Sequence, residues 1–127
     1  MSNIIAVDFD GCLCENKYPD TGKPIQSVID ALKAQKEQGA KVILWTCRVD
    51  AALEAAIEWC KEQGIEFDEV NRNTPDMISF FGGSDTRKVF ANEYWDDRAV
   101  KMPTQVTILD NRNDLKKIEK ELENEKD

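Results

Sequence analysis

Four consecutive apolar residues, Ile4 to Val7, run straight into two acids in "IIAVDFDGCLCE". A buried strand is predicted there, ending at Asp8 and Asp10. Downstream, "PIQSVIDALKAQKEQG" (24–39) places Ile25, Val28, Ile29 and Leu32 at helical spacing, with Pro24 in the first turn and Gly39 as the stop. The unbroken apolar run "AKVILWT" (40–46) predicts a strand covered on both faces. A second amphipathic helix is expected over "DAALEAAIEWCKEQG" (50–64), with Leu53, Ala56, Ile57 and Cys60 on one face, Asp50 as cap and Gly64 at the end. "IEFDEV" (65–70) predicts a third strand, "TPDMISFFGG" (74–83) a short helix opened by Thr74 and Pro75, and "KVFANEYW" (88–95) a fourth strand running into Asp96 and Asp97. "QVTILD" (105–110) predicts another strand and 113–127 a charged helix with Leu115, Ile118 and Leu122 as its narrow apolar stripe.

Strands alternating with helices predict an α/β, Rossmann-like three-layer fold: a mostly parallel sheet with right-handed crossovers and helices on its faces. The chain of 127 residues suits one domain over 1–127. No apolar run approaches the roughly 18 residues needed to cross a bilayer. The first residues, "MSNIIAVDFD", have no basic region of a signal peptide, so a cytoplasmic protein without membrane partners is expected. The four cysteines (Cys12, Cys14, Cys47, Cys60) fit that compartment and read as small buried residues, while Trp45, Trp59 and Trp95 read as core. There is no histidine. Every Ser-His or Cys-His nucleophile scheme is thereby excluded, and the chemistry falls to carboxylates, lysine or metal.

In a parallel sheet the functional site lies beyond the carboxyl ends of the strands, near the point where strand order reverses. Asp8 and Asp10, Thr46, and Asp96 with Asp97 all stand at such ends. Carboxylates gathered within a few ångströms repel one another unless a cation sits among them, and an all-oxygen ligand set points to magnesium.

This constellation resembles the haloacid dehalogenase superfamily, whose members are mostly magnesium-dependent phosphatases of Rossmann-like fold. The D-x-D-G motif is "VDFDG", the strand ending in Thr is "ILWTC", the lysine precedes "VF", and the paired acids close "YWDD". The likeness spans 4–97. It implies that Asp8 is the nucleophile forming an aspartyl phosphate, and that Asp10 protonates the leaving group and then activates water. It implies magnesium bound by Asp8, the main-chain carbonyl of Asp10, and Asp97, with Asp96 orienting Lys88 or a metal-bound water. Thr46 and Lys88 would stabilise the phosphoryl oxygens, Arg87 being the rival cation. Gly11, Cys47, Arg48 and Lys23 would line the substrate. Cys12 departs from the family's usual threonine after D-x-D-G, and oxidation of Cys12 or Cys47 would inhibit.

Neither 11–23 nor 47–87 has room for a cap domain, so the site is expected to be open. With a formal charge of −8, long nucleic acid is repelled. The expected substrate is a small or nucleotide-like phosphomonoester, with specificity from 15–23 (Lys17, Tyr18 and Lys23 included) and a homo-oligomer as the lid. The alternatives are a phosphatase acting on polynucleotide ends or phosphoproteins, and a phosphate-binding module without turnover.

Overall fold

The computed structural model describes residues 3–100, and the unit they build runs to Asp97. The expected strand 105–110 and helix 113–127 lie outside the described residues. The elements are β1 (Ile4–Val7), α1 (Gln26–Glu37), β2 (Lys41–Leu44), α2 (Asp50–Glu62), β3 (Glu69–Val70), α3 (Pro75–Phe80) and β4 (Glu93–Trp95). The strands form one sheet in the order β3-β2-β1-β4, every pairing parallel, so the α/β Rossmann-like architecture expected from the sequence is the one observed.

All four residues of β1 are buried, which is why the strand reads as an apolar run rather than an alternating one. Its side chains still alternate between faces. Ile5 and Val7, with Val42 and Leu44 of β2, pack against Ile29 and Leu32 of α1 and Ala56 and Cys60 of α2. Ile4, Ala6 and Ile43 pack on the other side against Met77 of α3 and the Val89 to Ala91 segment. The three layers follow from this period of two. Trp59 and Trp95 are half-buried against the first cluster and Trp45 against the second, so the tryptophans are core residues, as expected.

Both long helices end as their glycines predict. Gly64 takes φ +83°, its N–H donates to Lys61 O, and the following Ile65 N–H donates to Cys60 O while its side chain enters the core. This is a Schellman ending with its hydrophobic contact, and Gly39 and Ala40 repeat its hydrogen bonds on α1.

Several boundaries differ from expectation. Pro24 precedes the Ile25 cap of α1 instead of occupying its first turn. Val49 is the N-cap of α2, and Asp50 is its first residue, at φ +51°, making no side-chain cap. β3 is two residues long because Asp68 bonds the Val42 N–H through its side chain and β3 lies at the sheet edge. β4 begins only at Glu93, since Val89 and Ala91 bond the Tyr94 hydroxyl and Phe90 bonds Asn73, which takes 89–91 out of the ladder. Among the described residues no helix is long and apolar enough to cross a membrane.

Candidate metal and phosphate site

Strand order reverses between β1 and β4, which lie side by side while the chain of β1 proceeds first to β2 on its other flank. Asp8 follows β1, and its N–H donates to Trp95 O at 2.9 Å, so the last residue of β4 stands beside the first acid. Beyond Asp8 the chain folds back: the N–H groups of Cys12, Leu13 and Cys14 all point to Phe9 O. Phe9 is fully buried, edge-on to Trp59 at 5.4 Å, and Leu13 is fully buried as well. With Phe9 drawn into the core, the acids on either side of it are left at the sheet edge.

Gly11 closes the gap between the two strand ends. It adopts φ +80°, and a β-carbon there would lie 2.3 Å from Asp97 Oδ2 and 2.8 Å from Asp97 Cγ. Only a residue without a side chain admits the Asp97 carboxylate at that distance. Asp8, Asp96 and Asp97 thereby each present a carboxylate oxygen, all within 4.8 Å of one another. Burial pushes the Asp8 carboxyl up from its ordinary 3.8 to about 6; the hydrogen bond from Phe9 N–H (2.8 Å) opposes the shift, and the charges of Asp96, Asp97 and Asp10 add to it. An all-oxygen donor set held together against its own repulsion fits a hard divalent cation, which would remove the electrostatic cost.

Thr46 lies just beyond β2. Trp45 N–H donates to Val7 O at 2.8 Å, which sets the β2 end abreast of the β1 end. Thr46 N–H donates to Asn71 Oδ1 at 2.8 Å, and Thr46 Oγ1 accepts from Arg48 N–H at 3.1 Å, leaving the hydroxyl proton for another acceptor. Asn71, at φ +54°, is a positioning residue that sequence reasoning passed over; an asparagine directly after a strand was its only signal.

Arg48 corrects an expectation. Read as a substrate contact, it is 1% exposed and donates all five of its N–H groups internally. Nε and Nη2 meet Asp10 Oδ2 and Oδ1 at 2.8 and 2.7 Å; Nη1 meets Pro19 O and Ala52 O at 2.9 and 3.1 Å; Nη2 also meets Asp20 O at 2.6 Å. No donor remains for a phosphate. Cys47 corrects another: it is exposed rather than buried, unlike Cys12, Cys14 and Cys60. Burial, reinforced by Asp8, Asp97 and Asp96, pushes the Cys12 thiol up to about 12, so it stays protonated and Cys12 is not a reactive thiolate.

Lys88 is exposed, and its ammonium stands 5.8 Å from the centre of the Tyr94 ring. It lines a pocket of about 380 Å³ with Phe81, Val89, Phe90, Ala91 and Tyr94, on the face of the sheet opposite α1 and α2. The expected contact with the nucleophile is not among its described contacts. Lys23 is exposed; its carbonyl accepts from Glu15 N–H, and Ile25 N–H donates to Leu13 O, so the two ends of the 15–24 loop are pinned together. The loop is a small lobe beside the acids and no cap domain.

No protein-family profile matches the chain. No curated protein is significantly similar to it. Among solved structures it is similar to a conserved protein coded by a locus from Bacteroides thetaiotaomicron, at 36% identity and a TM-score of 0.68, over 85% of this chain and 87% of that one. The likeness extends over nearly the whole of both molecules, and the chain belongs to the same family as that conserved Bacteroides protein.

Proposed function

We propose that the protein is a magnesium-dependent phosphomonoesterase of the haloacid dehalogenase type, acting in the cytoplasm on a small or nucleotide-like phosphate ester. The observation that carries this reading is the meeting of Asp8, Asp96 and Asp97 across the point where strand order reverses, with Asp10 and Thr46 on the same edge. A module that only bound phosphate would have no need of both Asp8 and Asp10.

Asp8, Asp97 and the main-chain carbonyl of Asp10 would hold the ion, with Asp96 alongside. Bound there, magnesium supplies positive charge to the phosphoryl oxygens and keeps Asp8 ionised. An Asp8 carboxylate oxygen attacks phosphorus, the bond from phosphorus to the ester oxygen breaks, and the departing oxygen takes a proton from Asp10. Asp10, now ionised, takes a proton from water as the water oxygen attacks the same phosphorus. The bond to Asp8 then breaks, releasing inorganic phosphate and restoring both acids. The Thr46 hydroxyl donates to a phosphoryl oxygen throughout, and Lys88 is the lysine that the resemblance assigns to the same charge. The 15–24 lobe faces the leaving group, a second subunit completes the enclosure, and the net charge of −8 turns away long polyanions.

The test is hydrolysis of a panel of sugar phosphates, mononucleotides, phosphorylated oligonucleotides and phosphopeptides, with magnesium and with chelator. Magnesium-dependent release of phosphate from small esters, abolished in Asp8→Asn, is expected. Equal rates with and without chelator, or cleavage of none of the panel, would overturn the reading; preference for a long oligonucleotide or phosphopeptide would overturn the substrate class.

A further inference from the structure

Arg48 is placed too particularly for a residue that only fills space. Burying a guanidinium is costly unless each donor is met, and here all five are met. The two that form a fork go to both oxygens of one carboxylate, Asp10, and the other three go to main-chain carbonyls of the lobe (Pro19, Asp20) and of α2 (Ala52). Aromatic rings stand near its centre, Phe9 at 4.8 Å and Tyr18 at 5.2 Å, which restrict rotation of the guanidinium plane. Its own N–H donates to Thr46 Oγ1. The side chain therefore joins the second acid of D-x-D-G, the lobe and the start of α2, while the main chain of the same residue holds the threonine after β2.

We propose that Arg48 is a positioning residue for Asp10: it fixes the plane of the Asp10 carboxylate toward the leaving oxygen and locks the 15–24 lobe to the same plane. This rests on the phosphatase reading above. The fork takes one lone pair from each Asp10 oxygen and leaves the other free, so the acid keeps the capacity to carry and hand over a proton. A lysine offers a point charge with no fork and cannot hold the plane. Tyr18 is the outer wall: its ring covers the guanidinium on one side while 61% of the residue remains in solvent.

The consequence is a dependence on the leaving group. An ester whose oxygen departs readily, such as 2,4-dinitrophenyl phosphate, needs no proton from Asp10, whereas phenyl phosphate does. In Arg48→Lys, turnover of phenyl phosphate should fall roughly hundredfold and that of 2,4-dinitrophenyl phosphate about threefold or less, because only the first depends on an aligned acid. In an Asp10→Asn background, Arg48→Lys should cost no more than about twofold on either ester. Tyr18→Leu removes the outer wall without stranding a charge, and should show the same selectivity more weakly; it decides the matter if Arg48→Lys does not fold. Equal loss on both esters, or an undiminished loss in the Asp10→Asn background, would make Arg48 a structural residue and overturn this role alone. Wild-type protein that cleaves neither ester would overturn the phosphatase reading and this role with it.

Discussion

At Asp8 the protein carries a cost that appears as pH rises. The folded-state value of about 6 lies above the ordinary 3.8, so between these pH values the folded chain binds the proton that the unfolded chain has released. The penalty is absent below 3.8 and complete above 6. In chelator, Asp8→Asn should therefore be more stable than wild type at pH 7.5 by about 1–2 kcal/mol, after discounting for the solvent that reaches the group, and equal to it at about pH 3. Urea unfolding at the two pH values measures this, and equal differences at both would remove burial as the cause. Gly11 makes a second demand on one position. Gly11→Ala meets both a left-handed backbone and the Asp97 carboxylate, and should cost about 2–3 kcal/mol while abolishing the rise in melting temperature that the proposed magnesium site predicts. A stable Gly11→Ala protein with intact magnesium response would mean that Asp97 can leave Gly11 without consequence.

Among the elements, the loop between α3 and β4 depends on Asn73, which is fully buried. Its amide nitrogen donates to Asp85 Oδ1 and to Thr86 O and Oγ1 at 2.9 to 3.2 Å, and its Oδ1 accepts from Phe90 N–H at 2.7 Å. Asn73→Ala strands these partners, with an expected loss of about 2–4 kcal/mol and new trypsin cleavage after Arg87 and Lys88. Resistance to trypsin equal to wild type would show that the loop is held elsewhere. Asn73 also explains what the sequence did and did not disclose. β1, β2 and both long helices were legible because burial writes itself into apolar period and glycine stops. β4 is shorter than its composition suggests: "KVFANEYW" is rich in strand formers, yet its first half pairs with side chains of Asn73 and Tyr94 rather than with a neighbouring strand. The acids were legible from their places at strand ends. Arg48 was not: nothing local distinguishes a cation that binds substrate from one whose five donors are consumed by groups far apart in the chain. Lys88 was placed by resemblance, and its described neighbour is the ring of Tyr94.

Across the whole molecule, β1 is the strand on which everything converges, since it pairs with β2 through Ile4 to Val7 and with β4 through Ile5 to Val7. These two pairings close loops of very different length. Contacts near in sequence form early, while those that close long loops pay more entropy first. β2 can add to β1 once α1 is made, but β4 joins after nearly all the described chain has been laid down. We expect β4 to dock last, so that the mutual repulsion of the three acids is incurred in that step. If that docking follows the rate-limiting barrier, a cation that stabilises the meeting of the acids acts after it. Magnesium should slow unfolding by an amount that accounts for its whole stabilising effect and leave the refolding rate unchanged, as stopped-flow chevrons at two magnesium concentrations would read. Refolding that accelerates with magnesium would place the docking of β4 before the barrier. A site divided between residue 8 and residues 96–97 gives a half-made protein on the ribosome no cluster of three acids to trap ions, because the second pair of acids is still to be translated.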